Sequence, residues 1–223
     1  MPGSWPTGHI ARLFRQLPTS IVINDPESYT ELYSPTATAD YEPLRKALRW
    51  DLVTRVLDPW AGEGVTRSAL GDLVAVALSD LRQRRGIRLQ PLHALANALE
   101  SSDLNNLEAC LGPFTGIVAS PWFAFLDVAL AAAVSVGYQF VAFHVPGHYL
   151  TSAHPSRASY LQRVAEEGRL LILSNLPRAS FGGRCGWLII FKTPELRRLL
   201  VTQDTQLRCR AWILLDSACE TVV

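Results

Sequence analysis

"VLDPWAGEGVTRSAL", Val56 to Leu70, is the stretch whose reading decides the fold. An apolar run ends on an acid, Asp58, then Pro59-Trp-Ala leads into Gly62-x-Gly64, and residues compatible with a helix follow. The order is strand, tight turn, helix. Glycines at 62 and 64 carry no Cβ, so the backbone can turn sharply and come close to a ligand with its N–H groups aimed at polar atoms. Asp58, at the carboxyl end of the strand, is placed to hold an ammonium group. An ordinary tight turn accounts for the same glycines, so the motif needs support from elsewhere. Asp80 closes the next apolar run, "DLVAVALSD" (72–80). In a nucleoside-binding sheet an acid there faces ribose hydroxyls; the other reading is a cap for the following helix.

Similar runs recur outward from this pair: "FTGIVASPW" (114–122), "YQFVAFHVP" (138–146), "RLLILSNLP" (169–177) and "CGWLIIFKTP" (185–194). Short, nearly continuous apolar strands spaced by helical lengths predict an α/β fold, a mostly parallel sheet with helices on both faces. "PLHALANALES" (91–101) is expected to hold the end of the third strand. "RASFGGR" (178–184) is too short for a crossover helix, so the two runs beside it should pair antiparallel. "DYEPLRKALRWDL" (40–52) sets Leu44, Ala47, Leu48 and Leu52 on one helical face. Residues 1–39, rich in Pro, Thr and Ser, read as an arm partly covering the site, and 40–223 as one domain.

The chain has 223 residues, 48% of them apolar, enough for a buried core. A formal charge of +1 does not announce a polyanion, so nucleic acid would have to meet a local basic patch. Cys110, Cys185, Cys209 and Cys219 stand far apart without zinc spacing and read as reduced, mostly buried thiols of an intracellular protein, nuclear or cytoplasmic. The N-terminus lacks a signal-peptide core; Arg12 and Arg15 with no acid before Asp25 are compatible with an organellar transit segment. "VALAAAVSVGYQFVAF" (128–143) is shorter than the roughly 20 residues of a membrane span and is broken by Gly137 and Gln139. It reads as a buried helix turning into a buried strand, with no membrane partner.

Taken together, "VLDPWAGEG" is similar to the Asp-Pro-Phe-x-Gly-x-Gly cofactor motif of S-adenosylmethionine-dependent DNA amino-methyltransferases. "SPWF" (120–123) resembles their catalytic motif, an Asp, Asn or Ser followed by Pro-Pro and an aromatic residue. The likeness runs from about Tyr33 to Lys192, and the chain looks like the compact phage-type enzymes and the methyltransferase-like domains of some retroelements. It implies a Rossmann-like class I methyltransferase fold, S-adenosyl-L-methionine as cofactor and methyl transfer to adenine N6 or cytosine N4 in DNA. The alternative is an inactive methyltransferase-like module that binds nucleic acid or a partner protein. In the family, the first motif side chain and the next carbonyl accept the two hydrogens of an amine whose lone pair is otherwise delocalised into the ring. An aromatic residue stacks on the flipped base. Here these are Ser120, the Pro121 carbonyl, and Trp122 or Phe123. Trp122 stands where the family has its second proline.

The resemblance also assigns Asp58, Pro59, Gly62, Gly64 and Asp80 to the cofactor, with Asn97 near its adenine. Tyr33, Ser34 and Thr36, in "ELYSPTATADYEPL" (31–44), would line its methionine end or else lie in an ordinary surface arm. Cytosine-C5 methylation needs a cysteine nucleophile, usually after proline, and none of the four cysteines follows one. His144, His148 and His154 fit no compact zinc pattern, so no metal is expected. His144, His148 and Tyr149 read as a loop over the target base or as structural polar residues. "RQRRGIR" (82–88) is the densest basic cluster, and Arg178 and Arg184 flank Phe181 in a loop suited to phosphate contact and base stacking, or merely to solvation. The segment after Lys192 is too short for a recognition domain, so weak sequence specificity or a specificity-supplying protein partner is expected.

Overall fold

Four apolar runs form parallel strands because their residues alternate between two buried faces. The computed structural model describes residues 36–80, 94–96, 98–147, 149, 155–177 and 184–205. The strands are β1 (Arg55–Asp58), β2 (Ala75–Asp80), β3 (Ala94–Leu95), β4 (Gly116–Ala119), β5 (Phe140–Pro146), β6 (Leu170–Pro177) and β7 (Arg184–Phe191). Their order in the sheet is β3-β2-β1-β4-β5-β7-β6. β1 pairs in parallel with both β2 and β4, β2 with β3, and β4 with β5. β7 runs antiparallel between β5 and β6. This is a Rossmann-like order, the fold that the resemblance implies, and it holds the mostly parallel sheet with a late antiparallel strand that the spacing of the runs predicts.

Helices α1 (Glu42–Ala47), α2 (Val65–Leu70), α3 (Ser101–Leu111), α4 (Leu126–Ser135), α5 (Pro155–Glu166) and α6 (Pro194–Leu200) accompany the strands. On one face, Leu57, Ile117, Val141, Phe143 and Leu188 share a core with Leu104, Leu130 and Tyr160 of α3, α4 and α5. On the other, Val56, Val118, Phe140, Trp187 and Ile189 share a core with Leu44, Leu70 and Leu200 of α1, α2 and α6. β1, β2, β4, β5 and β7 each feed both cores, which is why their sequences are continuous apolar runs rather than alternations. No described helix is long and apolar enough to cross a membrane.

The amphipathic segment before β1 is broken rather than continuous. A 3-10 turn (Thr38–Tyr41) precedes α1, and a second (Trp50–Leu52) follows it. Leu44, Ala47 and Leu48 are buried as expected, but the break turns Leu52 outward to 38% exposure. Thr36 is already buried against the body, eight positions before the expected helix face begins at Leu44. Of the cysteines expected to be mostly buried, Cys185 is buried and Cys110 lies exposed on α3, while Cys209 and Cys219 lie outside the described residues.

Gly116 opens β4 opposite Phe140 of β5. A Cβ built there would lie 2.6 Å from the fully buried Phe140 ring. Gly116→Ala is therefore expected to force β4 and β5 apart and cost about 1–3 kcal/mol, read as a lowered midpoint in denaturant unfolding.

Candidate active site

The chain passes from β1 outward through β2 and β3, then returns to the other side of β1 as β4. Such a reversal leaves a crevice beyond the carboxyl ends of β1 and β4. Asp58 is the last residue of β1, Asp80 the last of β2, and Ser120 the first after β4. Residues distant in sequence thus converge on one edge because their strands run parallel.

The loop after β1 is braced from both sides. Gly62 and Gly64 have φ of 51° and 77°, left-handed values that explain why glycine stands at each. Asp58 Oδ1 accepts the Trp60 N–H at 3.1 Å, and Gly64 donates to the Ala61 carbonyl at 2.7 Å. Ala61 N–H donates to the Ser79 carbonyl at 3.0 Å, and Gly62 N–H to Asp80 Oδ2 at 2.8 Å. Asp80 therefore holds the shape of the glycine loop across the gap between β1 and β2. Residues 81–93, where a helix capped by Asp80 would begin, lie outside the described residues.

Asp58 is 2% exposed. Its Oδ2 accepts the hydroxyl of Thr66, the second residue of α2. With that hydrogen committed, Tyr41 donates its own hydroxyl to Thr66 at 2.6 Å. Burial pushes the Asp58 carboxyl up to about 7, with a smaller contribution from the Asp80 charge; the bonds from Thr66 and Trp60 oppose it. A buried acid poised near neutrality is ready for a cation that would restore its charge. Tyr41 and Thr66 were not among the sequence candidates. The signal for Thr66 was a polar residue on the inward side of the first turn after the glycine loop.

Ser120 is half-buried, and its Oγ accepts the Thr36 hydroxyl at 2.8 Å. This bond joins two predicted residues across 84 positions and brings the segment before α1 onto the end of β4. Pro121 is buried; Trp122 and Phe123 are half-buried. Phe123 packs on the core shared with α3 and α4. The Trp122 ring stands edge-on to Phe125, centroids 5.1 Å apart at 63°. The Trp122 carbonyl accepts the Phe125 N–H at 2.9 Å and starts the turn into α4.

Two of the residues read as a loop over the target base, His144 and Tyr149, point inward instead. His144 is completely buried within β5, its Nε2 3.0 Å from Cys185 Sγ and its ring 5.1 Å from that of Trp187. It sits inside because strand alternation places it on the same face as Phe140 and Ala142, in the core beside Trp187. Tyr149 is 6% exposed, donates its hydroxyl to Asp127 Oδ1 at 2.7 Å and lies beneath the Arg157 guanidinium, 4.1 Å away. Arg157 also pairs with Asp127 at 3.1 Å, so the three lock the start of α5 to α4. Neither His144 nor Tyr149 is a base-contacting residue in this arrangement. Tyr33, Ser34, Asn97, His148, Arg178 and Phe181 lie outside the described residues, as do His154 and the basic run 82–88; Arg184 begins β7, with its side chain outside the description.

Among the described residues, His144 lies with Asp40 and Cys185, three buried ligand-type side chains whose polar atoms fall within 4.8 Å of one another. No local spacing reveals that combination.

No protein-family model matches the chain, and no curated protein sequence matches it. Solved structures resemble it distantly. A type I restriction-modification methyltransferase subunit from Streptococcus thermophilus is 15% identical with a TM-score of 0.47, over 72% of this chain and 44% of that one. A candidate hemolysin from Lactococcus lactis is 12% identical with a TM-score of 0.45, over 64% of this chain and 80% of that one. The O-methyltransferase TomG from Streptomyces achromogenes, solved with SAM, is 13% identical with a TM-score of 0.43, over 84% of this chain and 89% of that one. The chain spans less than half the length of the first of these. Likenesses this distant fix no activity, and the reading of function rests on the crevice itself.

Proposed function

We propose that the chain is an S-adenosylmethionine-dependent methyltransferase acting on an exocyclic amine, N6 of adenine or N4 of cytosine, in DNA. The observation that carries this reading is the convergence of the Asp58–Gly64 loop, Asp80 and Ser120 at the switch point of the sheet. Two positive-φ glycines without side chains, an acid poised for a cation and a second acid at the next strand end suit a ligand bearing an ammonium group and a ribose diol.

Bound there, S-adenosylmethionine supplies an electrophilic methyl on sulfonium. Asp58 would hold the ammonium and Asp80 the ribose hydroxyls, while the Gly62–Gly64 backbone lies alongside. Ser120 Oγ and the Pro121 carbonyl would accept the two amine hydrogens, localising the nitrogen lone pair for in-line attack. The new N–C bond would form as the S–C bond breaks, with the surplus amine proton passing to water. Trp122 or Phe123 stacks on the base. Trp122 is the better placed of the two, because Phe123 contributes to the core. The DNA acceptor and a partner that supplies sequence specificity belong to this proposal as well.

One contact favours the second reading, a methyltransferase-like module without turnover. The Thr36 hydroxyl donates to the same Ser120 oxygen that would have to accept an amine hydrogen. Calorimetric titration with S-adenosylmethionine, followed by mass analysis of nucleosides after incubation with DNA, separates the two. Binding with N6-methyladenine or N4-methylcytosine supports the enzyme, binding without either supports the module, and absence of binding removes both.

A further inference from the structure

Three elements that are remote in sequence bring a carboxylate, an imidazole and a thiol together beneath the turn whose neighbours reach Ser120 and Thr66. In the β5–β7 ladder His144 faces Trp187 and Pro146 faces Cys185, so His144 and Cys185 lie on one face as diagonal neighbours. Asp40 reaches them from the 3-10 turn above. Its backbone is pinned by the Trp187 indole N–H, which donates to the Asp40 carbonyl at 2.9 Å. Its carboxylate is held by the Ala37 N–H, 2.9 Å from Oδ2. All three residues are buried, at 5%, 0% and 1% exposure, and their ligand atoms lie within 4.8 Å of one another.

We propose that Asp40, His144 and Cys185 bind a single zinc ion. The donor set is one oxygen, one nitrogen and one sulfur, a combination zinc accepts at about 2.0–2.3 Å per ligand. Two such bonds at a tetrahedral angle separate N and S by roughly 3.5 Å, so the 3.0 Å between Nε2 and Sγ has to open only slightly. A divalent ion with one carboxylate and one thiolate is neutral in sum, which suits a site without water around it. The Ala37 bond to Asp40 is the kind of outer contact that orients a ligand before the metal arrives. Three protein ligands leave the fourth position to water or the second Asp40 oxygen. The ion would clamp to the sheet the turn that carries Thr36 onto Ser120 and Tyr41 onto Thr66.

The test uses the full chain without an affinity tag, freed of metal by chelator and titrated with zinc, then separately with cobalt. One equivalent of zinc should bind and raise the melting temperature, and cobalt should give thiolate-to-metal charge-transfer absorption that zinc abolishes. Cys185→Ser should remove that absorption, and His144→Gln and Asp40→Asn should each weaken zinc at least ~100-fold. Cys110→Ser should change none of these. Failure of the wild-type chain to take up stoichiometric zinc, or binding that survives Cys185→Ser, overturns the proposal. Because neither cofactor nor DNA is present, either result is independent of the methyl-transfer reading.

Discussion

Ser120→Ala is expected to lower the methyl-transfer rate by ~10²–10³-fold while S-adenosylmethionine affinity changes less than about twofold. The hydroxyl stands at the end of β4, whereas the residues proposed to hold the cofactor belong to β1, β2 and the loop between them. Removing one acceptor leaves the amine lone pair partly delocalised in the base, a loss felt in the transition state and not in cofactor binding. The structural cost is the Thr36–Ser120 bond, about 1 kcal/mol at a half-buried site, so the fold survives. Single-turnover mass analysis of nucleosides reads the rate, and calorimetry reads the affinity. Ser120→Asn, which keeps an acceptor at this position, should retain much more activity than Ser120→Ala. Loss of cofactor binding in the alanine variant would move Ser120 from the acceptor side of the crevice to the cofactor side and sink the proposed role.

What could be read from the sequence divides along a physical line. The strands β2, β4, β5 and β6 lie within apolar runs, and β1 and β7 enter theirs at the second residue, because burial of the central strands on both faces leaves a composition that no surface segment shows. The antiparallel pairing of β6 and β7 followed from loop length alone. Gly62 and Gly64 were legible because positive φ selects glycine, and their partner Asp80 because it ends the next strand. His144 was misread since its neighbours in sequence, not in the sheet, supplied its context; strand alternation sends it to the core beside Trp187. The Tyr41–Thr66–Asp58 chain and the Asp40–His144–Cys185 trio depend on a 3-10 turn that packs over the carboxyl edge of the sheet. Helical periodicity over 40–52 gave no sign of that turn, and contacts between segments so far apart leave no local pattern.

The second large effect is a pH dependence centred on Asp58. Its carboxyl is raised by burial from 3.8 to about 7 in the folded chain. A raised acid favours the fold while neutral, so its contribution is fully present below about pH 4 and is lost as pH rises through about 7. The whole difference amounts to about 4 kcal/mol, and the ligand-free chain should gain stability from this group as pH falls from 7.5 to 5. Ligand binding runs the other way. An ammonium is protonated throughout this range and pairs with the ionised carboxylate, so below about pH 7 each binding event must first expel a proton from Asp58. S-adenosylmethionine affinity should therefore fall ~tenfold per pH unit between about 7 and 5, or ~100-fold in all. Calorimetry in buffers of different ionisation heat should count close to one proton released at the acid end. Thr66→Val removes a bond that stabilises the charged form and should move the midpoint upward. Asp58→Asn should bind weakly and without this slope, because an amide has no proton to lose. A wild-type affinity that stays flat from pH 5 to 7.5 would mean that Asp58 does not meet the cation, and the ammonium would have to be sought elsewhere along the edge.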